Sequence, residues 1–245
     1  MTLRSLASSF GIAAALGLAA LASAQAPAPA EPKAKAKAKA AEDPKKPDGA
    51  DAPAVKSEKA EPKLEKAFFA GGCFWCLEAF YERVHGVKSV ISGYSGGTVA
   101  RPSYEMVCTG LTGHAETVEV IYDPALVSYD YLLDVFWLCH DPTTLNRQGP
   151  DEGTQYRSAI FYANDEQKKL AEKSFQKANA YYNGQVVTQL VPLVRFWPAE
   201  RHHQDYYRLN RNKNPYCQSV IAPKIEELRA KLNAKAAATP TPEKK

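Results

Sequence analysis

The sequence lacks most of what would staple a chain covalently or commit it to a polyanion or a membrane. Its five cysteines are an odd number without the spacing of a disulfide framework. In an exported form at least one thiol then stays free, which favours redox chemistry over stapling. The formal net charge is +4 over 245 residues, too little to mark a nucleic-acid partner. No internal repeat is present. The longest apolar run falls short of the ~20 residues that cross a bilayer. From Gln25 to Glu65 aliphatic side chains are almost missing, and such a stretch cannot bury enough apolar surface to offset its ordering entropy.

What is present divides the chain into four parts. Residues 1–24 carry Arg4, an uncharged run from Gly11 to Leu21 and the small-residue ending Ala22-Ser23-Ala24. That is the pattern of a cleavable secretory signal, with Gln25 as the new N-terminus. No cysteine follows the cleavage point, so neither a lipid anchor nor stable membrane insertion is indicated. Residues 25–65 read as a disordered Ala/Pro/Lys-rich tether, with charge at every second position from Lys33 to Lys39. Residues 66–232 suit one domain with a real core, and residues 233–245 read as a second disordered tail. The expected location is therefore periplasmic or extracellular.

Within the domain, Gly71-Gly72-Cys73-Phe74-Trp75-Cys76 is the stretch to which the rest refers. Ala67 to Ala70 reads as a strand, and Leu77, Phe80, Tyr81 and Val84 recur at helical spacing up to Gly86. Cys73 then sits at the first turn of a helix, where free amide protons and the macrodipole stabilise a thiolate. Phe74 and Trp75 beside it can wall a small apolar pocket. Cys73 and Cys76 also form a C-x-x-C, which alone is compatible with a redox pair or half of a zinc site.

Further strands are expected over Val87–Tyr94, His114–Tyr122, Ser158–Tyr162 and Val186–Val194. Helices are expected over Tyr104–Cys108, from a Ser128 cap through His140, and from an Asp165 cap to about Tyr182. Two more are expected, from Pro198 through Leu209 and from Pro223 onward. Asp141 to Thr154 is too long for a mere connector and reads as a functional loop, and Arg211 to Tyr216 reads as loop. Consecutive strands lie too far apart for simple hairpins, so the fold class is α+β, a two-layer sandwich with helices on a mixed, mainly antiparallel sheet. Cys108 and Cys139 sit in apolar patterns and read as inert core thiols. His114 and His140, and more so the adjacent pair His202-His203, are the imidazoles that suggest metal ligands. Adjacent histidines on a helix point apart, and no second C-x-x-C or H-x-x-x-H completes a metal set.

Six stretches together, GGCFWC, GYSGG, SYEMVCTGLTGHAE, HDPTTLNRQGPDEGTQYRSAIF, PAERHHQDYY and NPYC, resemble the peptide methionine sulfoxide reductases of the A type, over nearly all of Lys66–Leu228. The resemblance implies a two-layer α/β sandwich with a ferredoxin-like core. It implies reduction of the S epimer of methionine sulfoxide, free or in oxidised proteins, with no metal and no prosthetic cofactor but with an external thioredoxin-like dithiol. By the same resemblance Cys73 is the nucleophile and Glu116 the acid that protonates the sulfoxide oxygen. Tyr104, Tyr156 and Asp151 are polar groups of the same site, and Phe74, Trp75 and Tyr206 line the S-methyl pocket. Many relatives have glycine where Cys76 stands and recycle through cysteines in a glycine-rich tail. Here Cys217 matches the first of those and the second is missing, so Cys217 is the preferred resolving thiol, on a loop able to swing, with Cys76 its competitor. Two other readings compete: a thiol–disulfide oxidoreductase using Cys73 and Cys76, and a non-catalytic module that binds thioethers.

Overall fold

The computed structural model describes residues 63–238. The expected signal, all but the last residues of the expected tether, and the end of the expected tail lie outside them. The first strand, β1 (Glu65–Ala70), alternates its side chains between two environments. Ala67 and Phe69 face the main core, while Phe68 and Ala70 join a second, smaller cluster with Ala115, Ala159 and Phe161. Phe69 stacks on Tyr81, Phe136 and Tyr129 at centroid distances of 5.2, 5.4 and 6.1 Å. Those rings belong to α1 (Phe74–Tyr81) and α3 (Tyr129–Cys139), so one strand position clamps two helices to the sheet. Each such fully buried ring contributes on the order of 2–3 kcal/mol.

β1 pairs antiparallel with β3 (Ala115–Tyr122) and with β6 (Ala159–Tyr162). Beyond β3 lie β2 (Val87–Ser95) and the edge strand β8 (Phe196–Pro198); beyond β6 lies β7 (Gln189–Pro192), the only parallel neighbour in this sheet. The sheet of six strands, ordered β7-β6-β1-β3-β2-β8, is mixed and mainly antiparallel. The expected functional loop contains a two-stranded ribbon, β4 (Arg147–Gln148) and β5 (Asp151–Glu152). The helices α2 (Tyr104–Cys108) and α4 (Asp165–Tyr181) complete the central part.

Several expected boundaries move for identifiable reasons. Asn164, not Asp165, caps α4, its side chain accepting from the Gln167 N–H. The strand expected over Val186–Val194 shortens to β7, because Val187 bonds to the Pro142 carbonyl instead. The helix expected from Pro198 through Leu209 is broken into β8, a 3-10 turn at Arg201–His203 and the short α5 (Tyr206–Asn210). The break is at Asp205, whose φ of +54° no α-helix can accommodate. The last helix, α6 (Ala222–Ala238), runs into the residues expected as tail, and is entered through a wide π-turn at Cys217–Ile221. There the Ala222 N–H reaches back to the Cys217 carbonyl, and Pro223 brings no N–H of its own. No described helix is long and apolar enough to cross a membrane.

Candidate active site

The site begins where β1 ends. Gly72 takes φ of +93°, and a Cβ there would come within 2.6 Å of the Gln148 side chain in the β4–β5 segment. Glycine is thus required both by conformation and by a close approach. The chain then delivers Cys73 as the residue capping α1, with its carbonyl accepting from Cys76 and Leu77. On β3, Glu116 pairs across the sheet with Tyr94 and points to the helical side. Its Oε2 accepts the Phe74 N–H at 2.9 Å. The carboxyl group therefore lies against the first free amide of α1, one residue from the sulfur.

Glu116 is only 1 % exposed. Burial, with Cys73 adding to it, pushes its pKa well above the carboxylate range even though the Phe74 amide pulls the other way. That shift favours the neutral acid over the carboxylate. Cys73 does not follow the sequence expectation of a resting thiolate. At 6 % exposure, burial first and its neighbours Cys76 and Asp151 next push the thiol well up. The helix terminus acts against desolvation and like charge together. A pocket that keeps Glu116 protonated also keeps Cys73 protonated.

Tyr104 and Tyr156 are half-buried, the first opening α2 and the second closing a 3-10 turn at Thr154–Tyr156. Burial and then the Glu116 carboxyl beside them push both hydroxyls well above the ordinary tyrosine range. Both remain hydrogen-bond donors facing one acid. Asp151 accepts the Tyr216 hydroxyl at 2.8 Å, and its pKa is raised by burial. Tyr216 also hydrogen-bonds toward the Cys73 sulfur, a contact that lowers that thiol's pKa. Sequence reasoning missed Tyr216; its place beside Cys217 in the NPYC stretch was the available signal.

An aromatic wall closes the other side. Phe74 is fully buried, and Trp75 stacks on Tyr206 at 3.7 Å between centroids and 6° between planes. Tyr104 stacks on both Phe74 and Trp75 at 6.2 Å. His203 lies 4.3 Å from the Tyr104 ring, and neither of its ring nitrogens has a hydrogen-bond partner among the described residues. Burial pushes its pKa down to about 4, so it joins the wall as a neutral ring.

The wall is held by carboxyl and amide groups that the sequence did not single out. Glu200 accepts the Tyr104 N–H at 2.9 Å and the Tyr94 hydroxyl at 3.1 Å. The Gln204 amide accepts from the Ser92 N–H and donates to the Ser92 carbonyl, standing in for a strand partner where β8 leaves β2. Glu78, buried on α1, accepts the N–H groups of Asp205 and Tyr206 at 3.0 Å each and so seats the start of α5 under Trp75.

Four thiols remain to be placed. Cys76 is buried on α1 and hydrogen-bonds to Cys73. Cys217 is not on a loop as expected: it opens the π-turn and is fully buried. Burial and then Cys73 raise its pKa, so it shares an environment with that sulfur. The five cysteines are all unpaired. Cys108 and Cys139 are half-buried rather than core residues. Cys108 lies beside the Tyr104 hydroxyl and is pushed up to about 11, chiefly by burial. Cys139 donates to the Phe136 carbonyl at 3.2 Å. His140 is fixed between the Phe136 carbonyl and the Ser158 hydroxyl, at 2.7 Å each, and His114 contacts the Val99 carbonyl at 2.7 Å. Both brace loops rather than join the site. Among the described residues no group of three or more His, Cys, Asp or Glu side chains is placed to hold a metal ion.

Comparison with known proteins gives a consistent answer. The model of the family described as peptide methionine sulfoxide reductase matches residues 65–236. The peptide methionine sulfoxide reductase MsrA of Leptospira borgpetersenii is 53 % identical over 164 residues, which are 67 % of this chain and 93 % of that one. The corresponding protein of Polynucleobacter asymbioticus is 49 % identical over 180 residues, 73 % of this chain and 94 % of that one. Among solved structures, Mxr1 of Saccharomyces cerevisiae in reduced form superposes with a TM-score of 0.60 at 34 % identity, covering 62 % of this chain and 88 % of that one. Methionine sulfoxide reductase A of Corynebacterium diphtheriae gives 0.56 at 36 %, covering 62 % and 77 %.

Proposed function

The chain belongs to the peptide methionine sulfoxide reductase family and is an oxidoreductase of that kind; from this premise we propose that it reduces the S epimer of methionine sulfoxide, protein-bound or free, with Cys73 as nucleophile and Glu116 as acid. The observation that carries the reading is the buried, neutral Glu116 carboxyl bonded to the Phe74 amide, next to the nucleophilic sulfur.

The steps balance as follows. The S-methyl group enters the wall of Phe74, Trp75 and Tyr206, while Tyr104 and Tyr156 hydrogen-bond the sulfoxide oxygen. Glu116 gives that oxygen a proton, which makes the sulfur electrophilic, and Cys73 attacks. The oxygen passes to Cys73 as a sulfenic acid, methionine leaves, and the proton that Cys73 sheds restores Glu116. Tyr216 assists the loss of that proton, since its contact lowers the Cys73 pKa. The Cys217 thiol then attacks the sulfenic sulfur, expelling water and forming a disulfide. An external thioredoxin-like dithiol reduces it with two electrons and two protons. Cys76, hydrogen-bonded to Cys73, is the competing resolving thiol. No prosthetic group enters this sequence.

Residues 1–24 act in this proposal as an export signal and residues 25–65 as a tether, placing the domain in the periplasm or outside the cell. The decisive assay supplies the two sulfoxide diastereomers separately with an artificial dithiol. Turnover of the S form alone is expected; equal turnover of both sinks the epimer assignment. Mass mapping of the disulfide after one turnover separates Cys217 from Cys76.

A further inference from the structure

Behind the Tyr104 wall lies a second cleft, of about 520 Å³, lined by Arg101, Pro102, Ser103, Arg195, Phe196, Trp197, Pro198 and Glu200. Its position follows from the site itself. Ser103 caps the helix that Tyr104 opens, and Glu200 holds the Tyr104 amide. Its floor is β8, the edge strand of the sheet. Main-chain pairing along that edge is blunted by Pro198, which has no N–H to offer, so recognition here rests on side chains.

The cleft's two cationic side chains are free to take an anion. Arg101 and Arg195 are exposed, and neither lies within ion-pair distance of an acidic group among the described residues. The Arg195 guanidinium lies 4.7 Å over the Trp197 ring, an arrangement that leaves the guanidinium edge for a carboxylate while the ring holds its face. Arg101 adopts φ of +49°, a conformation uncommon for a residue with a Cβ. The cleft's acidic group, Glu200, is already engaged by the Tyr104 N–H and the Tyr94 hydroxyl.

We propose that this cleft is a docking subsite for an acidic side chain of the oxidised polypeptide, a few residues from the methionine sulfoxide in the catalytic pocket. The inference rests on the reading of the chain as a reductase of protein-bound methionine sulfoxide and deepens it. An extended chain advances about 3.3 Å per residue, so a Glu or Asp roughly three to five residues from the sulfoxide reaches about 10–17 Å from it. The arginines act on substrate capture rather than on the chemical step.

The test uses three synthetic peptides with one methionine-S-sulfoxide each and a Glu, Gln or Lys pair three to five residues away. The full chain is assayed with an artificial dithiol at low ionic strength. The Glu peptide is expected to show a KM about three- to tenfold below the Gln peptide at similar kcat, the scale of two exposed arginine–carboxylate contacts. The advantage should vanish in the R101Q/R195Q double variant, whose turnover of free methionine sulfoxide should be unchanged. The R101E/R195E variant should prefer the Lys peptide, an inversion that no loss of folding produces. Equal KM for the three peptides on the wild-type chain overturns the subsite while leaving the activity intact. Should no sulfoxide be reduced, the activity reading fails instead, and fluorescence anisotropy of the labelled peptides still decides the subsite: a Glu preference sustains it and none overturns it.

Discussion

Two buried glutamates place their carboxyl groups on the first amides of helices, with different results. Glu116 accepts one N–H, that of Phe74 at the start of α1. Glu78 accepts two, those of Asp205 and Tyr206 at the start of α5. Both are 1 % exposed. Burial raises Glu78 only to about 7, because the two amides draw it back. Glu116 has one amide, and the Cys73 sulfur pushes in the same direction as burial, so its pKa is driven well above the carboxylate range. The amide donors and the neighbouring sulfur, set beside desolvation, thus separate the proposed proton donor from a clamp.

The comparison can be broken most sharply at Glu116. In the E116A variant kcat should fall about 10²–10⁴-fold, the usual range for general acid catalysis, while E116Q should retain part of the rate through its hydrogen bond to the oxygen. Steady-state assays with a dithiol read both, and little change in E116A would remove the acid from the mechanism. Next in size, Y216F should lower kcat about tenfold, because the Cys73 thiol loses the contact that eases its ionisation. The pH dependence of alkylation by iodoacetamide should move upward in that variant.

Glu78 should behave as a clamp. E78Q should raise KM more than it lowers kcat, with a total effect below about tenfold, since Tyr206 would sit less firmly under Trp75. The smallest effect is on stability. A carboxyl raised from 4.5 to about 7 binds protons more tightly in the folded state. Its contribution is therefore present at low pH and is lost as pH rises from about 4.5 through 7. Denaturant midpoints across that window should fall with rising pH in the wild type, and less steeply in E78Q. An unchanged slope would place the Glu78 proton elsewhere.

How much of this is legible in the sequence depends on whether a feature is local. The β1–α1 junction is, because the alternation of Ala67 to Ala70, the paired glycines and the apolar spacing from Leu77 to Val84 all lie within some twenty residues. So is the cap at Ser128, which accepts an amide three residues on. The PAERHHQDYY stretch is not. Its helical pattern is overridden by Glu200 reaching Tyr104, Gln204 reaching Ser92 and Glu78 reaching Asp205, contacts about 96 to 127 residues apart. The resting charge of Cys73 also depends on its distant neighbours. A helix terminus is visible in sequence, but the depth of burial around it and the approach of Asp151 are not. Of the candidate site, the resemblance supplied Cys73, Glu116, the two tyrosines and the aromatic wall, whereas Tyr216 and His203 emerge only from packing.

The entry to α6 has a bearing on how the oxidised enzyme is reset. Cys217 hangs on the one turn of its helix that is wound too loosely, just ahead of a proline, while Ile221, Ile225 and Leu228 stay anchored in the core. Slackening that turn frees the sulfur over a short arc and leaves the remaining coils seated. In the proposed cycle, where Cys217 resolves the oxidised Cys73, the second thiol would come to the first at the expense of a few backbone bonds, without the body of the protein letting go.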